Sequence, residues 1–201
     1  YPFGGGEIDL LGWVAAQEGD WYELDHRAFA LALEGGYQWT QAAWKPHLRA
    51  GWLYGSGDSE AGDGRHATFF QMLPTARKYA QLPFYNLMNS SDLFVQTFLK
   101  PHQAVAVRAD WHWVSLAERN DRWYSGAGAT QERGPLFGFA GRNSQGKRGL
   151  GQLADLSVTY APTPSFTLYG YYGHVFGTSI IEAIYAGTSA NFAYVEAEIR
   201  F

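Results

Sequence analysis

The chain has 201 residues, of which 46% are hydrophobic and 17% aromatic, with 24 glycines, no cysteine and a formal net charge of -4. The absence of cysteine excludes disulfides, cysteine-ligated zinc, c-type haem attachment and thiol nucleophiles, and the mild acidity without a basic run argues against nucleic acid as a partner. Length fits one domain over residues 1–201, and the aromatic and glycine content favours strands and turns over helix bundles. No apolar stretch approaches the roughly 20 residues that a membrane helix needs, but a spanning strand needs only about 9 to 11 tilted residues of alternating character.

In chain order, YPFGGG (Tyr1 to Gly6) reads as a turn or loop interior, opening without Met or a charged-then-apolar leader, as a mature or processed chain does. EIDLLGWVAAQ (Glu7 to Gln17), HRAFALALEGGYQW (His26 to Trp39) and WKPHLRAGWLYG (Trp44 to Gly55) carry the two-residue period of strands, the last two joined by TQAA. A long connection from Gly57 to Ser90 follows. DLFVQTFLK (Asp92 to Lys100) and AVAVRADWHWVSL (Ala104 to Leu116) flank the short turn PHQ, and a second long connection runs from Ala117 to Leu150. QLADLSVTYA (Gln152 to Ala161) and FTLYGYYGHVF (Phe166 to Phe176) are joined by PTPS, with Pro where no ladder donor is needed. GTSIIEAIYAGTS (Gly177 to Ser189) reads as a loop, and AYVEAEIRF (Ala193 to Phe201) as the last strand.

These segments predict eight strands in an up-and-down antiparallel meander, with short turns at one end and long loops at the other. Such sorting of loops by length is expected of an outer-membrane barrel and has no reason to occur in a soluble sandwich. The facing pattern agrees. Leu48, Ala50, Trp52 and Tyr54 oppose Lys45, His47 and Arg49; Val105, Val107, Ala109, Trp111 and Trp113 oppose Arg108, Asp110 and His112; Leu156, Val158 and Tyr160 oppose Asp155, Ser157 and Thr159. A water-soluble barrel would turn the apolar set inward and a membrane barrel turns it outward to lipid; periodicity alone does not separate the two, and the aromatic residues near the strand ends, which suit an interface, favour the membrane barrel. In the last strand Val195, Ala197, Ile199 and Phe201 share the apolar side, while Glu196, Glu198 and Arg200 share the other.

Several stretches together resemble the C-terminal part of an alginate-export outer-membrane porin: LYGSGDSEAGDGRHATFFQMLPTARKYAQ (Leu53 to Gln81), NLMNSSDLFVQTFLKPHQAVAVRADWHWVSLAERNDRWY (Asn86 to Tyr124), LGQLADLSVTYAPTPSFTLYGYYGHVFG (Leu150 to Gly177) and the terminal VEAEIRF. The resemblance implies a transmembrane all-β barrel of roughly eighteen strands in the bacterial outer membrane, with a polar, partly basic lumen that in the type member serves an anionic polysaccharide. It implies a channel, not an enzyme, with no cofactor. Eight strands are less than half of such a barrel, so the expectation is a C-terminal segment whose edges pair with further strands, from the same or another chain. The terminal phenylalanine behind alternating apolar residues resembles the signal by which barrel assembly machinery recognises its clients; Val195, Ala197, Ile199 and Phe201 would carry it, with the C-terminus periplasmic.

The lumen candidates are Lys45, His47, Arg49, Lys100, Arg108, Asp110, His112, Glu196, Glu198 and Arg200, with Asp92 and Asp155 among the acids. Rings of charge set pore selectivity, and Arg offers carboxylates a planar fork, although the mixture of signs does not describe a purely anion-selective wall. Opposite charges on one wall also pair with each other. Asp110 and His112, two apart, are the arrangement by which a carboxylate orients an imidazole, which opens a hydrolase reading without a serine in nucleophile context. Asp58, Glu60 and Asp63 lie in a glycine-rich loop that offers oxygen ligands to a hard cation, a weak candidate because it lacks the spacing of a calcium-binding loop of the EF-hand type; a solvated loop is the plainer account. Phe69, Phe70, Met72 and Leu73 are too apolar for a freely exposed loop, and suggest a constriction at the barrel mouth or a contact with a neighbour; a blocked, partner-binding barrel is the alternative to an open channel.

Overall fold

Alternation with a period of two dictates a two-faced sheet, and the computed structural model, which describes residues 1–60, 62–71, 86–125 and 140–201, has one. The elements are β1 (Pro2–Phe3), β2 (Gly6–Trp21), β3 (Leu24–Gln38), β4 (His47–Gly55), β5 (Arg65–His66), β6 (Ser90–His102), β7 (Val105–Ser115), β8 (Arg122–Ser125), β9 (Ala140–Asn143), β10 (Gly149–Thr163), β11 (Phe166–Gly177), α1 (Ser179–Ile184) and β12 (Ser189–Ile199). The main sheet runs β1-β2-β3-β4-β6-β7-β10-β11-β12, every neighbour antiparallel, with β5 added parallel to β3 and β8–β9 forming a separate hairpin. All eight expected strands are present in meander order. The sheet stays open: among the described residues no pairing joins β2 to β12.

The expected short turns share one end, although β2 and β3 are joined just as tightly at the other, so the loops are not fully sorted by length. Gln103–Ala104 joins β6 to β7 and Pro164–Ser165 joins β10 to β11, both tighter than the sequence suggests because the flanking strands run on through Pro101 and Pro162. Register shifts at Leu99/His102 and Tyr160/Thr163 take each proline out of the regular ladder, where its missing N–H does no harm. The end of β12 lies beside one of these turns, Arg200 N–H donating to Ser165 O at 2.9 Å. At the same end YPFGGG is itself a hairpin: Gly4 and Gly5 take φ of 56° and 82°, the pair of positive values that a two-residue turn between β1 and β2 demands.

At the opposite end β2 and β3 outrun their expected limits and meet in a tight turn at Tyr22–Glu23, with Tyr22 at φ 56°. The segment expected as a loop from Gly177 to Ser189 contains the helical turn α1. Ile180 is fully buried, and Ile181 and Ile184 pack partly behind it, an i, i+1, i+4 apolar set that a single turn can bury on the sheet.

The outward face is apolar and exposed: Leu10 (82%), Val14 (73%) and Val195 (73%) stand open, with Leu33, Leu48, Leu93, Trp111, Trp113, Leu156, Val158 and Phe176. The inward face is polar and buried, with Asp92, His112, Gln96, Asp110, Asp155 and Ser157. This inverts the arrangement of a soluble sheet protein. Near the long-loop end the inward face turns apolar, where Ala30, Ala32, Leu53 and Leu153 receive Phe69 and Leu87 from the β4–β6 connection, Trp123 from β8 and Ile180 from α1. Close approach sets one sequence choice there. A Cβ on Gly55 would stand 1.7 Å from Leu87 O, backbone that cannot swing aside. Gly55→Ala is therefore expected to destabilise by about 1–3 kcal/mol through overpacking, read as a lower midpoint of thermal unfolding by circular dichroism.

Candidate functional site

The polar face holds a cleft of about 450 Å³ lined by Gln38, Lys45, His47, Arg49, Phe98, Lys100, Arg108, Ser157, Thr159 and Tyr169, among others. Five of the sequence candidates meet in it. Two-residue spacing puts His47 and Arg49 on the inner side of β4, and Arg108 on that of β7. Lys45 comes from the turn before β4, where Trp44 and Lys45 both hold left-handed backbone (φ 64° and 44°), a conformation that non-glycine residues adopt at a cost. Lys100 enters from the end of β6, its N–H bonded to Trp44 O at 2.7 Å, which ties the two lysine-bearing segments together.

Acids temper this cleft unevenly. Asp9 on β2 accepts from Arg49 Nη2 at 2.6 Å and bonds His47 Nε2 at 2.6 Å, and Glu34 on β3 lies 3.7 Å from Arg49 Nη1. Arg108 Nε and Nη2 both reach Asp110 Oδ2, at 2.6 and 2.5 Å, while its guanidinium sits 5.6 Å over the Phe98 ring. Lys45 and Lys100 make no ion pair among the described residues. The cleft thus keeps cationic character on its lysines while its arginines are held in fixed orientation by carboxylates.

Asp110 and His112 are brought onto the same buried wall, but not as the expected pair. His112 Nδ1 bonds Asp92 Oδ2 at 2.8 Å, across from β7 to β6, and Asp110 is engaged by Arg108. Glu196, Glu198 and Arg200 are not among the cleft's lining residues; Arg200 Nε donates to Glu198 Oε1 at 2.7 Å, both exposed at the β12 edge. Val195, Ile199 and Phe201 are exposed and Ala197 shares their side. Asp58, Glu60 and Asp63 do not converge: Asp58 Oδ1 accepts from Glu60 N–H and Asp63 Oδ1 from Arg65 N–H, as turn-capping carboxylates do. Asp9 and Glu34 were not singled out by sequence reasoning, since only strand register places them beside Arg49.

A model of the alginate export family matches residues 5–190, nearly the whole chain. The chain belongs to the alginate export family. This is a family of outer-membrane transport proteins, not of enzymes. No curated protein matches the chain.

In this alginate-export chain the inner face is capped at its long-loop end by connections that fold onto it. Asp121 is the hub: Thr68 Oγ1 (2.5 Å), Asp58 N–H (3.0 Å), Arg122 N–H (2.6 Å) and Tyr124 OH (2.8 Å) all donate to its carboxylate. Asn89, at φ 47°, donates from Nδ2 to Glu118 O and Arg122 O, and its Oδ1 accepts from Glu118 N–H. Burial, and then the Asp121 carboxylate beside it, pushes the Tyr124 phenol upward, so it remains a donor. Phe69 and Phe70 of the apolar quartet are buried, Phe70 N–H donating to Gln17 Oε1 at 2.7 Å; Met72 and Leu73 lie outside the described residues. Asp121→Ala strands four donors at once. The expected outcome is a loosened cap, with cleavage of the β4–β6 and β7–β10 connections by added protease at least several-fold faster than in the native chain.

Proposed function

We propose that this sheet is part of the wall of an outer-membrane channel that passes an anionic oligosaccharide or polysaccharide, and that the cleft is a stretch of its conducting path. The observation that carries the reading is the gathering of Lys45, His47, Arg49, Lys100 and Arg108 in one cleft on the polar side of a sheet whose other side is apolar. Uronate-type carboxylates could exchange between the lysines and the edges of the guanidinium groups, whose planes Asp9 and Asp110 fix in advance. Family membership supports transport across the outer membrane.

In hydrocarbon the free donors and acceptors of β2 and β12 would each cost several kcal/mol. On this reading the edges pair with further strands, from this chain's larger barrel of roughly eighteen or from another polypeptide. Short turns then face the periplasm, together with the end of β12 beside Ser165, and Val195, Ala197, Ile199 and Phe201 continue the lipid-facing side, where barrel assembly machinery would meet them. A barrel closed at eight strands would have an interior filled by side chains, which does not suit a polymer.

The cap of Phe69, Leu87, Trp123 and Ile180 on the inner face favours a second reading, a blocked barrel that binds a partner through its loops. Planar-bilayer recording separates the two. The channel reading expects steady conductance and a reversal potential of anion-selective sign under a salt gradient, reduced towards zero when Lys45→Ala and Lys100→Ala are combined; well-inserted protein without conductance would sink it and leave the blocked barrel. Lipid contact is tested apart from conduction. Val158→Arg, on the exposed apolar side, is expected to cost about 2–4 kcal/mol if that position meets the bilayer midplane, seen as a lower yield of folded protein in vesicles; equal folding to the native chain would count against a lipid-facing outer side.

A further inference from the structure

Asp110 on β7 and Asp155 on β10 are direct cross-strand partners on the inward face, both buried to 5% exposure. Like charges directly opposite each other destabilise a sheet, and burial deepens the cost. His112 lies two residues along β7 and is fully buried. One ligand-type atom from each of Asp110, His112 and Asp155 falls within 4.8 Å of the others.

Each of the three is held by a second group. Arg108 grips Asp110 through Oδ2 (2.6 Å), Asp92 bonds His112 at Nδ1 (2.8 Å), and Tyr171 OH donates to Asp155 Oδ1 at 2.6 Å. Outer partners of this kind, a carboxylate behind a histidine above all, are how proteins orient metal ligands and fix the imidazole tautomer. With Oδ2 taken by Arg108, Asp110 Oδ1 is buried without a hydrogen-bond partner among the described residues.

We infer that Asp110, His112 and Asp155 form a binding site for a divalent first-row transition-metal ion, fixed across β7 and β10 and braced from β6 and β11. An imidazole with two carboxylates suits zinc-like ions better than calcium or magnesium, which take oxygen ligands. The route in is the cleft, since Arg108 and Ser157 of its lining stand two residues from Asp110 and Asp155 on the same strands. The inference does not depend on what the channel carries.

The test is calorimetric titration of Zn²⁺ into the full chain, purified in detergent and first stripped with a chelator. One saturable Zn²⁺ per chain is expected, with affinity at least tenfold weaker in His112→Gln and Asp155→Asn. Loss of an outer partner in Asp92→Asn or Tyr171→Phe is expected to weaken it roughly 10–100-fold. His66→Ala is the control, because His26 and His66 place their Nδ1 atoms 2.9 Å apart at the sheet's other end and could take up zinc adventitiously. No saturable binding, or binding that survives His112→Gln and disappears with His66→Ala, overturns the site. Should His112→Gln fail to fold, Tyr171→Phe, which removes one hydroxyl, decides: an affinity equal to the native chain's overturns it as well.

Discussion

A carboxylate buried on the inward face must find a donor, and that single requirement organises the wall. Transfer of an ionised group out of water costs more than any one surface contact returns, so Asp9, Asp92, Asp110 and Asp155 on the inward face are each met by a side chain from another position. Asp9 holds Arg49 and His47, Asp92 holds His112, Asp110 holds Arg108, and Asp155 holds Tyr171. Most of these contacts cross between strands, so they fix register as well as charge. A one-residue slip would turn every such group onto the apolar face, and the charged wall therefore specifies the sheet as strongly as a packed core specifies a soluble sandwich.

The same wall changes character along the strands. At the short-turn end it holds the cleft, with Lys45 and Lys100 in its lining; further in it is a row of paired charges; at the long-loop end Ala30, Ala32, Leu53 and Leu153 present an apolar floor to the capping segments. Small residues on β3 matter here, because alanine leaves room for Phe69, Leu87 and Trp123 to come down onto the sheet. Their backbones would then carry unsatisfied polar groups, and Asp121, Asn89 and Ser56 supply the partners. Cap and wall are thus two solutions to one problem, polar backbone and side chains kept from water, solved by side-chain hydrogen bonds where no strand ladder is available.

What the sequence made legible follows from which signals are local. The two-residue period located all eight long strands and separated their faces, and His47, Arg49 and Arg108 were placed on the correct side because facing depends on parity alone. Partner choice is not local. Asp110 stands two residues from His112, yet the imidazole is taken by Asp92, twenty positions earlier, because the register of β6 against β7 brings Asp92 diagonally beside it. Asp9 and Glu34 escaped notice for the same reason. The tight turn at Tyr22 carries no glycine or proline to announce it, and the charged run EGDWYELDH around it looks like loop although it is ladder to its tip. The helical turn α1 is too short for periodicity to distinguish from a loop with three isoleucines.

The open edges are where local and global demands have yet to meet. Along the main path of the sheet β3, β4, β6, β7, β10 and β11 each have partners on both sides. Neither β2 nor β12 contains proline, and their outward residues Leu10, Val14, Val195 and Ile199 are apolar; on β2 charge appears on that side only towards the Tyr22 turn, at Glu18 and Asp20, and β1 covers only Gly6 and Glu7. An unpaired edge strand is a hazard in water and costly in hydrocarbon, which is why the proposed channel pairs β2 and β12 with further strands. Tyr169, Tyr171 and Tyr194, packed at 5.2 to 5.8 Å between centroids on the inward side of β11 and β12, extend the polar wall right up to that margin. In the proposed channel, strands added at this margin would continue the wall and turn the cationic cleft from a groove into an enclosed path.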